Sequence, residues 1–166
     1  MNQADSSPGP FTGHAETVRP EWIDYNGHMN VAYYMLAFDH ASDVLFDHLG
    51  IGAAYRQERD CSFFIVEAHI TYDREVVVGE KLRFTTQVLG HDDKRLHFFH
   101  RMIRDSDGAC AATNELLAIH VNMQDRRAVP YPADVSRNIS ALAAIHARLS
   151  WPSQAGRIIA LRRRKS

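Results

Sequence analysis

The sequence predicts an α+β domain in which an antiparallel sheet wraps around one long central helix. Two observations carry this prediction. An apolar stretch with helical periodicity runs from residue 31 to residue 49, and four segments with the two-residue periodicity of strands follow it. The links between these segments, such as "HDD" and "DSDG", are short and rich in Asp and Gly, which favours antiparallel hairpins. A helix and a sheet with one apolar face each bury those faces against each other.

Before the helix, a disordered leader and one short strand are predicted. Residues 1–12 lack the basic start and apolar centre of a signal peptide and are assigned to the leader. The segment "HAETVRP" is predicted to be a strand that ends at Pro20, because the residue before a proline favours extended conformations. Asn30 is the expected N-cap of the helix and Gly50 its expected stop. The apolar helix face comprises Val31, Tyr34, Met35, Phe38, Leu45, Phe46 and Leu49.

Four strands and a second helix are predicted after the central helix. The strand segments are "FFIVEAHITY", "EKLRFTTQVLG", "KRLHFFHRMIR" and "ACAATNELLAIHVNMQ". In the first, apolar residues from Phe64 to Tyr72 alternate with Glu67, His69 and Thr71, so its faces differ. Residues 150–166 are predicted to be a basic, loosely attached tail. A terminal amphipathic helix completes the domain, residues 13–149, through Val135, Ile139, Leu142, Ile145 and Leu149.

The composition limits the classes of function. A chain of 166 residues forms one domain with a single core, and its formal net charge of -1 does not indicate a nucleic-acid partner. Cys61 and Cys110 form no CxxC pair and no disulfide framework, which fits a reducing cytoplasm. No stretch approaches the roughly 20 apolar residues of a membrane helix. Free sheet edges are commonly paired with another chain, so a homodimer with a continuous sheet, or a homotetramer of such dimers, is expected.

Chemistry concentrates in the loop "WIDYNGHMN", just before the central helix. The exposed N–H groups at a helix start, here that of Val31, carry the positive end of the helix dipole and polarise a nearby carbonyl. Asp24 would act as base or nucleophile, and Asn26 and His28 would orient groups or handle protons. Gly27 would let the backbone approach a substrate closely. A capping turn without catalysis explains the same residues equally well, because Asp and Asn also favour turns.

The segment "DYNGHMNVAYYMLAFDHA" resembles the signature of the 4-hydroxybenzoyl-CoA thioesterase branch of the hotdog-fold proteins. An Asp, a Gly three residues later and a Tyr-x3-Phe-Asp-x-Ala helix recur in that branch. The resemblance implies a hotdog fold and an acyl-CoA thioesterase activity without a cofactor. It also implies that Asp24 is the catalytic carboxylate and that the Val31 N–H binds the thioester carbonyl. The matching positions are Asp24, Gly27, Tyr34, Phe38, Asp39 and Ala41.

Two further resemblances concern a second acid and the acyl group. The loop and the segment "YDREV" resemble plant acyl-ACP thioesterases, which points to Glu75 as a further acid, although Val76 stands where that family has a Cys. A closer similarity to betainyl-CoA thioesterases runs through "PEWIDYNGHMNVAYY", "YDREVVVGEKL" and "DDKRLHFFH". Aromatic faces bind a trimethylammonium acyl group well. The candidate contacts, with core packing as the alternative role of each, are Trp22, Tyr25, Tyr33 and Tyr72.

Basic pairs at the predicted hairpins are candidates for binding the CoA phosphates, since guanidinium groups bind phosphate bidentately. Surface charge is the simpler interpretation of these residues. The sequence also leaves open whether the acyl group is carried by CoA or by an acyl carrier protein. The candidate residues are Lys94, Arg95, Arg126 and Arg127.

No metal site is predicted. Asp39, Asp43 and Asp47 recur every four residues with His40 and His48 nearby, but this spacing is typical of a solvated helix face, and the sequence has no HExxH or Cys/His zinc motif. Two alternatives to a thioesterase stay open. One is a hotdog hydratase or dehydratase, which the spacing disfavours because those enzymes use Asp-x-Asn-Pro-x-His. The other is a non-catalytic acyl-CoA binding protein.

Overall fold

A computed structural model describes residues 9–161 of the chain. Within these residues, the chain forms six strands and three helices, and a short 3-10 turn at Pro20–Trp22 precedes the first helix. The elements are β1 (Phe11–Thr17), α1 (Val31–Leu49), α2 (Ala53–Arg59), β2 (Cys61–Tyr72), β3 (Lys81–His91), β4 (Arg95–Arg104), β5 (Cys110–Asn122), β6 (Arg127–Ala128) and α3 (Ala133–His146).

The strands form one antiparallel sheet that curls around α1, so the predicted α+β hotdog architecture is confirmed. The strand order is β1-β3-β4-β5-β2, and β6 pairs with β5. Phe38, Leu45 and Phe98 are fully buried between α1 and the concave face of the sheet. Burial of one such side chain stabilises the fold by about 1.5–3 kcal/mol. The core therefore holds α1 in a defined position across the sheet.

Both predicted ends of α1 are confirmed. Oδ1 of Asn30 accepts the N–H of Ala32 at 2.9 Å, which makes Asn30 the N-cap, and Gly50 ends the helix in the left-handed conformation at φ +74°. Two residues of the predicted apolar face are not covered, because Val31 is 59% and Met35 39% exposed. The start of α1 therefore presents apolar surface to solvent. No helix in the described part of the chain is long and apolar enough to span a bilayer.

The first strand begins earlier than predicted. β1 starts at Phe11, inside the predicted leader, and ends at Thr17, so Pro20 belongs to the 3-10 turn instead. Its sequence, "FTGHAET", contains few apolar residues, and periodicity alone could not locate its start. Residues 1–8 of the predicted leader lie outside the described residues.

Two features near the start of β2 were not predicted. The seven-residue helix α2 occupies the link after α1, and a bulge between Ile65 and Glu67 interrupts the pairing of β2 with β5. Phe63 is buried, whereas Phe64 is 37% exposed, so the apolar face predicted to begin at Phe64 is not the buried face in this part of the strand. A bulge inserts one residue and exchanges the faces on either side of it, which an uninterrupted alternation cannot anticipate.

The terminal helix α3 ends at His146, earlier than predicted. Leu149 lies beyond the helix, and Ile145, assigned to its apolar face, is 47% exposed. His146 takes the place of an apolar residue and closes the free edge of β3. Its Nδ1 accepts the N–H of Val88 at 2.8 Å, two residues past Thr86, where the pairing with β1 stops.

The chain after α3 crosses the outer face of the sheet and is not wholly detached. Nε2 of Gln154 donates to Oδ2 of Asp73 at 2.5 Å, and the N–H of Gly156 donates to Oε2 of Glu115 at 2.7 Å. Ile158, Ile159 and Leu161 are strongly exposed. The predicted loose tail is therefore attached as far as Gly156, and residues 162–166 lie outside the described part.

Candidate active site

The loop between β1 and α1 is held by its own backbone. The N–H of Asp24 donates to the carbonyl of His28 at 3.1 Å, and the N–H of Gly27 donates to the carbonyl of Asp24 at 3.0 Å. Gly27 has φ +81°, a conformation that side chains disfavour and that this turn requires. The N–H of Met29 donates to the carbonyl of Val76 at 2.7 Å and ties the loop to the segment after β2.

Asp24, the predicted catalytic carboxylate, lies beside the start of α1. Its Oδ1 accepts the backbone N–H of Asn26 at 2.8 Å, and its Oδ2 accepts the side-chain amide of Asn30 at 3.4 Å. The amide oxygen of the same side chain, Oδ1 of Asn30, accepts the N–H of Ala32. One side chain therefore links the carboxylate to the helix end, a positioning role that the sequence did not reveal. Asn26 orients Asp24 through its backbone, not through its side chain.

The N–H of Val31 is the unused donor at this helix end. Asn30 engages the two donors that follow, because its side chain accepts the N–H of Ala32 and its carbonyl accepts the N–H of Tyr33 at 3.0 Å. Within residues 9–161, no acceptor is bonded to the N–H of Val31. The helix N-terminus adds a partial positive charge at the same point. This geometry can hold a polarised carbonyl oxygen or the oxyanion formed from it.

A pocket of about 200 Å³ opens beside this donor, between the start of α1 and the segment after β2. It brings together four of the predicted site residues, His28, Val31, Tyr72 and Glu75. Glu75 lines the pocket of the same chain that supplies Val31, so a second copy is not needed to bring it there. The lining residues that were not predicted as site residues are Met29, Tyr34, Asp73 and Arg74.

Two tyrosines form the aromatic wall of the pocket. The rings of Tyr34 and Tyr72 meet edge to face with centroids 5.1 Å apart, and the hydroxyl of Tyr34 donates to the carbonyl of Arg74 at 3.3 Å. Burial raises the pKa of both phenols, so both remain neutral at neutral pH. Tyr34 stands in the quoted helix signature, but its place on the apolar helix face concealed its position at the pocket.

The other predicted aromatic contacts do not line this pocket. Trp22 is 2% exposed and stacks on Tyr33, with centroids 5.6 Å apart, and its carbonyl accepts the N–H of Asn30 at 2.9 Å. These two rings support the loop from beneath. Tyr25 is 97% exposed and projects into solvent. The sequence could not separate loop-supporting from pocket-lining rings, because all of them flank the same motif.

The predicted CoA-binding residues lie at the far end of the sheet. Tyr72 pairs with Ala112 at the pocket end of β5, whereas Arg95 pairs with Ile119. Seven residues of strand separate the two positions, which is about 23 Å. The other predicted candidates, Lys94, Arg126 and Arg127, belong to the same end of the sheet. Within one chain they do not contact the pocket, and the basic residue that does is Arg74.

A Ser–His pair in the core is not a second catalytic centre. The hydroxyl of Ser42 lies 2.9 Å from Nε2 of His100, and His100 is fully buried. The same hydroxyl donates to the carbonyl of Phe38 at 3.0 Å, so the imidazole must donate to it and cannot deprotonate it. Burial lowers the pKa of His100 to about 3. Thr86 satisfies Nδ1 at 2.7 Å, and the network is structural.

A larger cavity, about 400 Å³, lies on the outer face of the sheet. Glu67 and His69, which the sequence assigned to an outward face, line it together with His97, Glu115 and the C-terminal segment. Glu115 accepts hydrogen bonds from Nε2 of His97 at 2.8 Å and from the N–H of Gly156. Strand residues and the C-terminal segment form this cavity, which therefore lacks the helix-end donor of the smaller pocket.

Comparison with known proteins agrees with the geometry of the loop and helix. The family model of the thioesterase-like superfamily matches residues 18–139, most of the chain. This chain belongs to the thioesterase-like superfamily. It is 37% identical over 151 residues to the betainyl-CoA thioesterase of Pseudomonas aeruginosa, and the alignment covers 91% of this chain and 95% of that protein.

Solved structures of similar sequence share the fold of this thioesterase-like chain. A Staphylococcus aureus protein, solved in complex with CoA, superposes with a TM-score of 0.85 at 30% identity and covers 92% of this chain and 97% of its own. A candidate thioesterase of Pseudomonas putida KT2440 superposes with a TM-score of 0.81 at 31% identity, over 93% and 99% of the two chains. The resemblance to hotdog-fold thioesterases is confirmed, and the chain is a thioester hydrolase.

Proposed function

We propose that this protein hydrolyses acyl-CoA thioesters with a small cationic acyl group, betainyl-CoA being the first candidate. The observation that carries the proposal is the unbonded N–H of Val31, a residue that lines one pocket together with Glu75. Asp24 is not a lining residue of this pocket, but its bond to Asn30 holds it beside the helix start. The similarity to a betainyl-CoA thioesterase along nearly the whole of both chains supports the choice of substrate.

The size and charge of the pocket support a small cationic acyl group. Its volume of about 200 Å³ is below the roughly 300–1,000 Å³ of sites that enclose a drug-sized ligand. A short acyl group fits, with the CoA portion outside. Tyr34 and Tyr72 supply ring surface, and the two carboxylates of Asp73 and Glu75 outnumber the one guanidinium of the lining, that of Arg74. A trimethylammonium group gains about 0.5–2 kcal/mol from each aromatic contact, so the lining favours it over a neutral group of equal shape.

The proposed reaction uses the helix end as the electrophilic donor. The thioester carbonyl oxygen accepts the N–H of Val31, and Asp24 either deprotonates a water molecule or attacks the carbonyl carbon itself. The tetrahedral oxyanion stays on the Val31 N–H, the C–S bond breaks, and the CoA thiolate takes a proton. On the direct route, water then hydrolyses the mixed anhydride of the acyl group and Asp24. Label from oxygen-18 water in the Asp24 carboxylate after a single turnover would identify this route, because it enters there only when water opens the anhydride at the aspartyl carbon.

A pair of isosteric substrates gives the sharpest test. Betainyl-CoA and 3,3-dimethylbutanoyl-CoA differ only by a nitrogen cation in place of a carbon atom, and free-thiol release measures the hydrolysis of both. We expect kcat/KM to favour the cation by roughly tenfold, equivalent to about 1.4 kcal/mol. Tyr72→Leu should reduce that preference and Tyr72→Phe should retain it. Asp24→Asn should abolish the release of free CoA from both substrates.

The possible outcomes separate the activity from the substrate. Release of free CoA from both substrates without a preference for the cation would reject the betainyl assignment. The protein would then remain a thioesterase of small acyl groups. An absence of release from any acyl-CoA, with a folded protein, would overturn the proposed reaction on CoA esters.

We also propose that the active form is a homodimer paired along β2. This edge strand is long, and Phe64, Ile65 and Val66 on it are 37–55% exposed. Antiparallel pairing about a two-fold axis near the middle of β2 would set Tyr72 beside Cys61 of the second copy. The far end of that copy, with its basic hairpins, would then approach the pocket. The predicted CoA-binding residues would serve the neighbouring chain in such a dimer.

A further inference from the structure

A cluster of two histidines and one glutamate joins β1 to the central helix, away from the hydrolytic pocket. Nε2 of His14 lies 3.1 Å from Oε1 of Glu16, and Nδ1 of His40 lies 3.2 Å from Oε2 of the same carboxylate. One potential ligand atom of each residue lies within 4.8 Å of the other two. His14 and Glu16 lie two residues apart on β1, and His40 lies on α1, so the packing of these two elements brings the three side chains together.

The chemistry of the cluster matches a divalent transition metal. Imidazole nitrogen and carboxylate oxygen are common zinc ligands, with bonds of about 2.0–2.2 Å. Neighbouring ligand atoms on a tetrahedron with such bonds lie about 3.3–3.6 Å apart. The distances of 3.1–3.3 Å between the imidazole nitrogens and the carboxylate oxygens are close to that value.

The surroundings of the cluster suit an ion that keeps one open position. The side chains of Glu16, His14 and His40 are 11%, 17% and 36% exposed. The carboxylate is therefore largely shielded from water, while the His40 side remains accessible for an ion and for a water molecule as fourth ligand. The Coulomb attraction between the ion and the carboxylate is stronger in such a partly buried place than at an open surface.

We propose that His14, Glu16 and His40 form a binding site for one divalent transition-metal ion, with Zn²⁺ as the first candidate. The ion would fasten β1 to α1 on both sides of the catalytic loop, because Glu16 precedes Asp24 and His40 follows Val31 along the chain. Its role is structural, since the cluster does not line the hydrolytic pocket. Linear zinc motifs do not reveal it, because the ligands belong to two separate elements.

The competing explanation is a hydrogen-bonded cluster in which each imidazole donates to Glu16. The variant Glu16→Gln separates the two. An amide side chain keeps the size and hydrogen-bonding capacity of the glutamate but is a poor zinc ligand. His40→Ala removes one ligand, and His91→Ala, an exposed histidine outside the cluster, serves as the matched control.

The test uses untagged protein, because a histidine tag binds metal ions. After treatment with a chelator and desalting, Zn²⁺ is titrated by calorimetry, and bound zinc is counted by elemental analysis. We expect one ion per wild-type and per His91→Ala chain. Glu16→Gln and His40→Ala should lose more than the roughly 10- to 100-fold in affinity that follows removal of a residue that only orients a ligand. Bound cobalt, used as a probe, should give a visible absorption band in wild type and in His91→Ala. The band should be absent from Glu16→Gln and His40→Ala.

Thermal unfolding supplies a second readout that does not depend on enzyme activity. At a zinc concentration about a hundred times the dissociation constant, wild-type Tm should rise by roughly 5–10 °C, while Tm of Glu16→Gln stays constant. The proposal is overturned if wild type binds no stoichiometric ion. It is equally overturned if Glu16→Gln and His40→Ala, folded at the same temperature, bind zinc as tightly as wild type does.

Discussion

The variant Val31→Pro removes the proposed oxyanion donor without removing the helix. Proline lacks a backbone N–H, and the first position of a helix is where proline is best tolerated. Asn30, the preceding residue, has φ −64° and ψ 144°, the extended conformation that a following proline requires. The bonds from Ala32 and Tyr33 to Asn30 are unaffected, since neither involves Val31. We therefore expect a folded protein whose free energy of unfolding changes by less than about 1 kcal/mol.

The expected loss of activity follows from the geometry of the helix end. Removing one donor from an oxyanion site lowers kcat by about 10²–10³, equivalent to about 2.7–4 kcal/mol of transition-state stabilisation. Because the N–H of Val31 is the unused donor at this position, the loss should fall in the same range. The control is Val31→Ala, which removes the exposed side chain and keeps the N–H. Its kcat should stay within about threefold of wild type.

Thiol release under saturating acyl-CoA measures kcat of the three proteins, while circular dichroism and thermal unfolding verify the fold. A folded Val31→Pro protein with the kcat of Val31→Ala would refute the role of this N–H in catalysis. A Val31→Pro protein that does not fold would refute the structural premise that the first helical position accepts proline.

Four further outcomes are expected. Glu75→Gln should lower kcat by about 10²-fold or more, as expected for loss of an acid–base group, whereas the exposed Glu58→Gln should leave it unchanged; equal rates would remove Glu75 from the mechanism. Ser42→Ala leaves a buried N–H unpaired and should cost about 1–3 kcal/mol in urea unfolding without altering kcat. Because the unfolded chain binds a proton on its histidine near pH 6.5, while His100 in the folded protein does so only at about 3, stability should fall as pH drops between these values. The loss is about 1.4 kcal/mol per pH unit, and His100→Gln should lack this part of the slope. Val66→Lys should convert the proposed dimer to a monomer in light scattering, and an unchanged mass would argue against pairing along β2.

The architecture was predictable because long periodic segments dominate the chain. The helix from Val31 to Leu49, its N-cap Asn30 and its stop Gly50 follow from local rules of spacing and capping, and the structure reproduces them. The errors occur where periodicity is interrupted or weak. β1 carries few apolar residues, and the bulge near Ile65 exchanges strand faces by one inserted residue. Neither event leaves a signal in composition.

The site was predictable only in part, because sequence proximity does not measure direction. The motif indicated His28 and Val31, and the structure places both at one pocket, with Glu75 supplied from a distant segment. Trp22 and Tyr25 flank the motif as closely as Tyr72 does, yet one is buried beneath the loop and the other projects into solvent. Which aromatic ring faces the pocket depends on the turn and on packing across the sheet.

The two edges of the sheet have different capacities for growth. On one side β1 is short and irregular, and His146 occupies the N–H of Val88 where β1 stops, so an incoming strand finds few free groups. On the other side the whole length of β2 is available. A molecule with one free sheet edge can pair with one second copy, about a two-fold axis, and then has no edge left for a third. Such a molecule is protected against filament formation, and loss of the His146 contact would open a second edge and a path to polymerisation.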